Sequence, residues 1–157
     1  MAQKNRLLKQ RLFREAAHEI SIAAGYVELG YRVVFSAPGL MIGLNSGRVA
    51  VDCFTEMNDP GEAGSGPYNL LHHCPAIVYF ELNSRWYGHF RENIERFKAL
   101  PAVKTYSAVV LTCRGGFAGP DGAELRSESC TCVNSRPRFP LPGGFCIYSP
   151  GEASSLS

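Results

Sequence analysis

The succession that most limits how this chain can fold lies in its middle. "AIVYFELN" (76–83) is a β-branched and aromatic run that turns polar at Glu81, the composition of a buried strand. "WYGHFRENIERFKAL" (86–100) follows, with Phe90, Ile94 and Phe97 spaced four and three apart. That spacing predicts an amphipathic helix, and Pro101 ends it. "YSAVVLTC" (106–113) is then a second apolar strand with the look of a central one. Two strands joined through a helix can lie parallel in one sheet. The expected fold class is therefore α/β: a mixed central β-sheet flanked by helices.

The flanking segments extend this pattern. Residues Asn5–Leu29 read as a helix, because Leu8, Leu12, Ala16, Ile20 and Ala24 recur every fourth residue and predict one apolar stripe against the core. Gly25 costs that helix about 1 kcal/mol relative to alanine, and Gly30 suits the position just after its end. Lys4, Arg11 and His18 fall seven apart on one side, the pattern of a solvated face or of a phosphate-binding edge. "YRVVFSA" (31–37) is a strand ended by Pro38-Gly39, and "LMIGL" and "RVAVDCF" flank a hairpin turn at Asn45-Ser46-Gly47. "EMNDPGEAGSGPYN" (56–69) is a loop rich in glycine and acid. Beyond Arg114 no long periodic segment survives, so the chain divides into an α/β domain, residues 1–114, and an irregular Gly/Pro/Ser-rich extension, residues 115–157.

Composition sets the class without choosing a function. Of 157 residues, 45% are hydrophobic and 19% charged, an ordinary globular balance. A net charge of +2 is too small to imply nucleic acid, so that partner must be argued from local clustering. The amino terminus is charged throughout and lacks a signal-peptide core, and no apolar run reaches membrane-spanning length. The expectation is a soluble protein of the cytoplasm or nucleus, with no membrane partner and with its six cysteines held as thiols.

Two carboxylates carry the chemistry. Asp52 and Glu81 close the polar ends of two strands, and neighbouring strands lie about 4.8 Å apart. The pair could share one hard cation, magnesium or manganese, which takes oxygen ligands and activates water against a phosphoryl group. Glu19 or Glu15 of the first helix could complete the site. Glu81, Asn83 and Arg85 are two apart and share a strand face. Trp86, Tyr87 and His89 beside Arg85 offer rings on which exposed bases can stack.

The stretch "EISIAAGYVELGYRVVFSAPG" (19–39) and the tail "ELNSR" (81–85) resemble the PD-(D/E)XK nuclease superfamily, in particular its Holliday-junction-resolvase-like branch. The resemblance spans roughly residues 12–113 and implies a restriction-endonuclease-like fold. It assigns Glu19 as the helix glutamate, Asp52 and Glu81 as metal ligands, and Asn83 as the occupant of the lysine position. It implies a magnesium-dependent (or manganese-dependent) nuclease acting on DNA or RNA. The residues themselves, Arg85 with the stacking ring of Trp86 and Lys4 with Arg11 on their helix edge, are the candidate contacts to nucleic acid. The departures are Asn83, which carries no charge to aim at the attacking water, and Val51, which stands where a proline usually precedes the aspartate. Taking "VAVDCF" as the motif strand puts Phe54 at the lysine position instead. The alternative function is a non-catalytic nuclease-like domain that binds nucleic acid or a protein partner.

Other clusters carry less. Cys113, Cys130, Cys132 and Cys146, even with His72, His73 and Cys74, lack the paired spacing of a structural zinc site. No spacing supports a nucleophilic Cys74–His89 pair. "GGFAGPDG" has no lysine and does not open a helix, so it is not a P-loop.

Overall fold

The computed structural model describes residues 2–35, 39–62 and 72–153. Helix α1 (Ala2–Glu28) leads into a meander of β1 (Arg32–Phe35), β2 (Leu40–Leu44) and β3 (Gly47–Met57). After the first crossover comes β4 (Ala76–Leu82), then a second crossover containing α2 (Ile94–Lys98) and α3 (Ala102–Thr105). The hairpin β5 (Ala108–Gly119) and β6 (Gly122–Val133) follows, and β7 (Glu152–Ala153) completes the order. All seven strands form one sheet in chain order, β1 to β7. Pairing is antiparallel from β1 to β3, parallel across β3–β4–β5, antiparallel for β5–β6 and parallel for β6–β7. The chain thus folds as a mixed α/β sheet with helices on it. The turn at Asn45-Ser46 sets the β2–β3 register, with Leu44 opposite Gly47.

Alternation along the central strands feeds two cores. Ala50, Val78, Phe80, Val109 and Leu111 face Phe90, Phe97, Leu100 and Tyr106 of the second crossover. Val49, Val51, Ile77, Tyr79 and Val110 face Ile22, Ala23 and Tyr26 of α1, with Leu141, Phe145, Ile147 and Tyr148 packed beside them. Tyr26 donates its hydroxyl hydrogen to Tyr79 Oη at 2.7 Å, and Tyr79 donates to the Tyr148 carbonyl at 2.5 Å. This chain of bonds ties helix, sheet and C-terminal segment together.

Three expectations change. The buried face of α1 is not the Leu8–Ala24 stripe, whose members are exposed (Ile20 is 58% accessible); it is His18, Ile22, Ala23 and Tyr26. Secondly, the helix expected over 86–100 is confined to Ile94–Lys98, preceded by short 3-10 turns at Ser84–Trp86 and Arg91–Asn93. Gly88 takes a φ of 83°, a left-handed conformation that breaks a continuous helix. Thirdly, regular structure continues past Arg114. β5 runs to Gly119 and pairs with β6 over its whole length, from Ala108↔Val133 to Gly119↔Gly122. The irregular extension begins only after Val133. Among the described residues no helix is long and apolar enough to cross a membrane.

Candidate functional site: a cleft between α1 and the strand ends

The two carboxylates expected to share a cation leave the sheet on opposite faces. Asp52 lies opposite Val78 and so points, with Ala50 and Val78, toward the crossover core. There it is 3% accessible, and its Oδ2 accepts from the Tyr106 hydroxyl at 2.8 Å and pairs with His72 Nε2 at 2.8 Å. Glu81 follows Ile77 and Tyr79 onto the α1 face, where its Oε2 lies 3.4 Å from the Arg114 guanidinium. With the sheet backbone between them, Asp52 and Glu81 do not form one magnesium or manganese site. Among the described residues no group of three or more His, Cys, Asp or Glu is arranged to hold a metal ion.

The remaining expected residues divide. Glu19 is half-buried on the α1 face, where burial raises its carboxyl pKa. It lies toward Cys53, whose thiol burial and the Glu19 charge both push up, and it does not line the cleft around Glu81. Asn83 acts locally: its Oδ1 accepts from the Arg85 backbone N–H at 3.0 Å, capping the turn after β4, and its Nδ2 donates to Asn58 Oδ1 at 3.1 Å. Arg85 and Trp86 both donate to the Asn58 carbonyl, at 2.6 and 2.9 Å. The Arg96 guanidinium lies 5.5 Å from the Trp86 ring. Lys4 sits exposed in the first turn of α1 and does not line the cleft; the Arg11 side chain lies outside the described residues. The cysteines scatter: Cys130 and Cys132 Sγ, 3.9 Å apart, are buried in the crossover core, while Cys146 is exposed.

What does converge is a cleft at the C-terminal ends of β3 and β4, closed on one side by α1. Its outer chamber, about 530 Å³, is lined by Arg14, Asn58, Glu81, Asn83, Ser84 and Arg114. An inner chamber of about 290 Å³ shares Glu81 and Arg114 and adds His18, Ser21, Thr112 and Tyr148. Register explains the polar wall. Glu81 pairs with Thr112, and Thr112 with Ser129, so three polar side chains form one cross-strand row on the α1 face. Arg114, two residues beyond Thr112, stays on that face. On α1, Arg14 and His18 are four apart and stack on the same side.

Electrostatics distinguishes the chambers. Burial raises the Glu81 pKa, while Arg114 and Arg14 oppose that shift. Burial lowers His18 to about 4, helped by the charge of Arg114, so the imidazole is neutral at physiological pH. Among the described residues neither ring nitrogen of His18 has a hydrogen-bond partner, nor does Ser129 Oγ, although both residues are buried. Sequence reasoning found Glu81 and Asn83. It set His18 among solvated residues and passed over Arg14, Thr112, Arg114 and Ser129, because only the strand register brings them together. No family model, curated protein or solved structure matches this chain.

Proposed function

We propose that the chain is a non-catalytic, nuclease-like domain that binds single-stranded nucleic acid along the Arg14–Arg114 cleft. The observation that carries this reading is the outer chamber, where two guanidinium groups join the amides of Asn58 and Asn83 and the Ser84 hydroxyl at the ends of parallel strands. Guanidinium is the preferred partner of a phosphodiester, and the carboxyl ends of parallel strands are a common place for ligands. Arg85, exposed and anchored on the Asn58 carbonyl, offers a further cation for a strand that continues outward, whereas the Trp86 ring packs against the crossover core beside Phe97. The separation of Asp52 from Glu81 argues against the nuclease mechanism, because each carboxylate already has a protein partner and no shared cation can bridge them. The mixed sheet and the short motifs around Glu19, Asp52 and Glu81 support the nuclease-like part of the description only as a resemblance.

Fluorescence anisotropy with a labelled single-stranded oligonucleotide tests the reading. Wild type should bind, and the Arg14→Met/Arg114→Met double variant should bind more weakly, with its log K against log salt slope shallower by about 1.4 for two lost phosphate contacts. Magnesium and manganese should not produce cleavage. Identical binding and slope for both proteins would sink the proposal. Cleavage that EDTA and Glu81→Ala each abolish would restore the nuclease reading.

A further inference from the structure

We infer that the outer face of α1 is a dimer interface, a strip on which a second copy of this chain lays its own α1 in the antiparallel sense. The sheet uses only one side of the helix, through His18, Ile22, Ala23 and Tyr26. On the side turned away, Phe13, Ala17, Ile20, Ala24 and Val27 recur at spacings of four, three, four and three. With 3.6 residues per turn, these five fall within a strip about 80° wide, opposite His18, Ile22 and Tyr26. All five are exposed, Phe13 at 74% and Ile20 and Val27 at 58%. A helix that packs on one side normally carries polar and charged residues on the other. Here both sides are apolar. The alternating spacing is the one by which two helices pack along a common seam.

Size and charge name the occupant. Large and small residues alternate along the strip, with Ala17 and Ala24 between Phe13, Ile20 and Val27. Antiparallel copies related by a two-fold axis between Ala17 and Ile20 set each Phe13 on the partner's Ala24 and each Ile20 on the partner's Ala17. Bulk then meets a gap along the seam, and the strip complements itself, as an isologous interface requires. Charge sets the direction. Before Glu15 the chain has five cations (Lys4, Arg6, Lys9, Arg11 and Arg14) and no acid; from Glu15 to Glu28 it has three acids and no lysine or arginine. Parallel helices would set cations beside cations. Antiparallel ones lay each cationic half along the acid-bearing half of the other and oppose the helix dipoles. Arg6 and Lys9, which continue the line of the strip, then lie at the C-terminal turn of the partner's helix. A lipid surface fits less well, because an interfacial helix keeps its cations on the side away from its apolar face. The seam over residues 9–28 is about 30 Å long and 10 Å wide, below the usual interface of about 800 Å² per partner, so the dimer dissociates on dilution. His18 lies on the opposite side of α1, and the inference does not rest on the proposed function.

Sedimentation velocity on the whole chain over a range of concentrations tests the pairing. Wild type should shift from monomer to dimer as concentration rises. Ile20→Glu, which sets two carboxylates beside the axis, should raise the dissociation constant tenfold or more. Its circular dichroism and urea midpoint should stay near wild type, because Ile20 is exposed in the single chain; if it does not fold, Ala17→Glu reports instead. Disulfide cross-linking reads the direction, in a Cys146→Ser background that removes the exposed thiol. Ile20→Cys, near the axis, should cross-link on oxidation, whereas Val27→Cys, about 25 Å along the seam from its copy, should not. A chain that stays monomeric at every concentration, or a dimer that both glutamate variants leave intact, would overturn the inference. Cross-linking through both cysteines would mean parallel helices and overturn it equally. A monomer that co-floats with phosphatidylserine vesicles would give the strip to a lipid surface instead.

Discussion

His18 makes the stability of this protein depend on pH between the folded and free values of its imidazole. Its imidazole is buried beside the Arg114 cation and titrates near 4 in the folded chain against 6.5 when free. The unfolded chain therefore binds more protons than the folded one between those values, and stability rises with pH across the window. The contribution is complete above the free value and is lost as pH falls toward the folded value. Taking both values at face, the folded state loses about 2.5 kcal/mol through this one group between neutral pH and about pH 4.5. Urea denaturation of wild type and His18→Leu, measured from about pH 7 down to about pH 4.5, isolates the effect because carboxylate contributions cancel in the difference. The wild-type unfolding free energy should fall by about 2–3 kcal/mol more than that of the variant. Curves that run parallel through the window would show that the imidazole is protonated in the folded chain, and the orphaned-ring reasoning would fail with it.

Two further outcomes follow from close contacts. Gly25→Ala should gain about 1 kcal/mol on helix propensity alone, but a Cβ there would overlap the Tyr148 ring, so the net effect should be a loss of about 1–3 kcal/mol, read from urea midpoints. Asp52→Ala removes the carboxylate that accepts from the buried Tyr106 hydroxyl and pairs with His72, which should cost about 1–3 kcal/mol. Thermal melts with and without magnesium check the second case: a melting temperature raised by magnesium in wild type and not in Asp52→Ala would mean that Asp52 does hold a cation.

Much of the framework was legible because its signals are local. The β-branched runs at 32–35, 48–54, 76–82 and 108–113, and the Asn45-Ser46 turn, each state their own structure, although β3 runs on to Met57 into what reads as loop. The α1 face was misread for a physical reason. Leu8, Leu12 and Ile20 follow a spacing of four, but so do His18, Ile22 and Tyr26, and two of those three are polar by type. Their burial depends on a tyrosine relay and an imidazole niche that exist only in the folded chain. β6 was missed because "GAELRSESCTCV" looks solvated; only Cys130 and Cys132 face the crossover core, while Leu125 is exposed. The cleft was least visible of all. Arg14, Glu81, Arg114 and Ser129 are dispersed along the sequence, and neither composition nor spacing reveals a row made by register across three strands. Equally, the one-residue parity that sends Asp52 and Glu81 to opposite faces could be fixed only by knowing how β3 and β4 align.

Because the strands sit in the sheet in the order in which they occur in the chain, each one emerging from a ribosome finds its partner already made. The meander can close before β4 exists, and every later strand adds to a waiting edge. The α1 face is the exception. Its seal is Tyr148, whose carbonyl ends the Tyr26–Tyr79 relay and whose ring fills the space above Gly25. The Cys146 backbone N–H also reaches back to the Tyr31 hydroxyl, 115 residues earlier in the chain. A chain interrupted near residue 140 would hold six paired strands with α1 packed on them through Ile22, Ala23 and Tyr26 alone, so residues 141–148 act as the latch over that face.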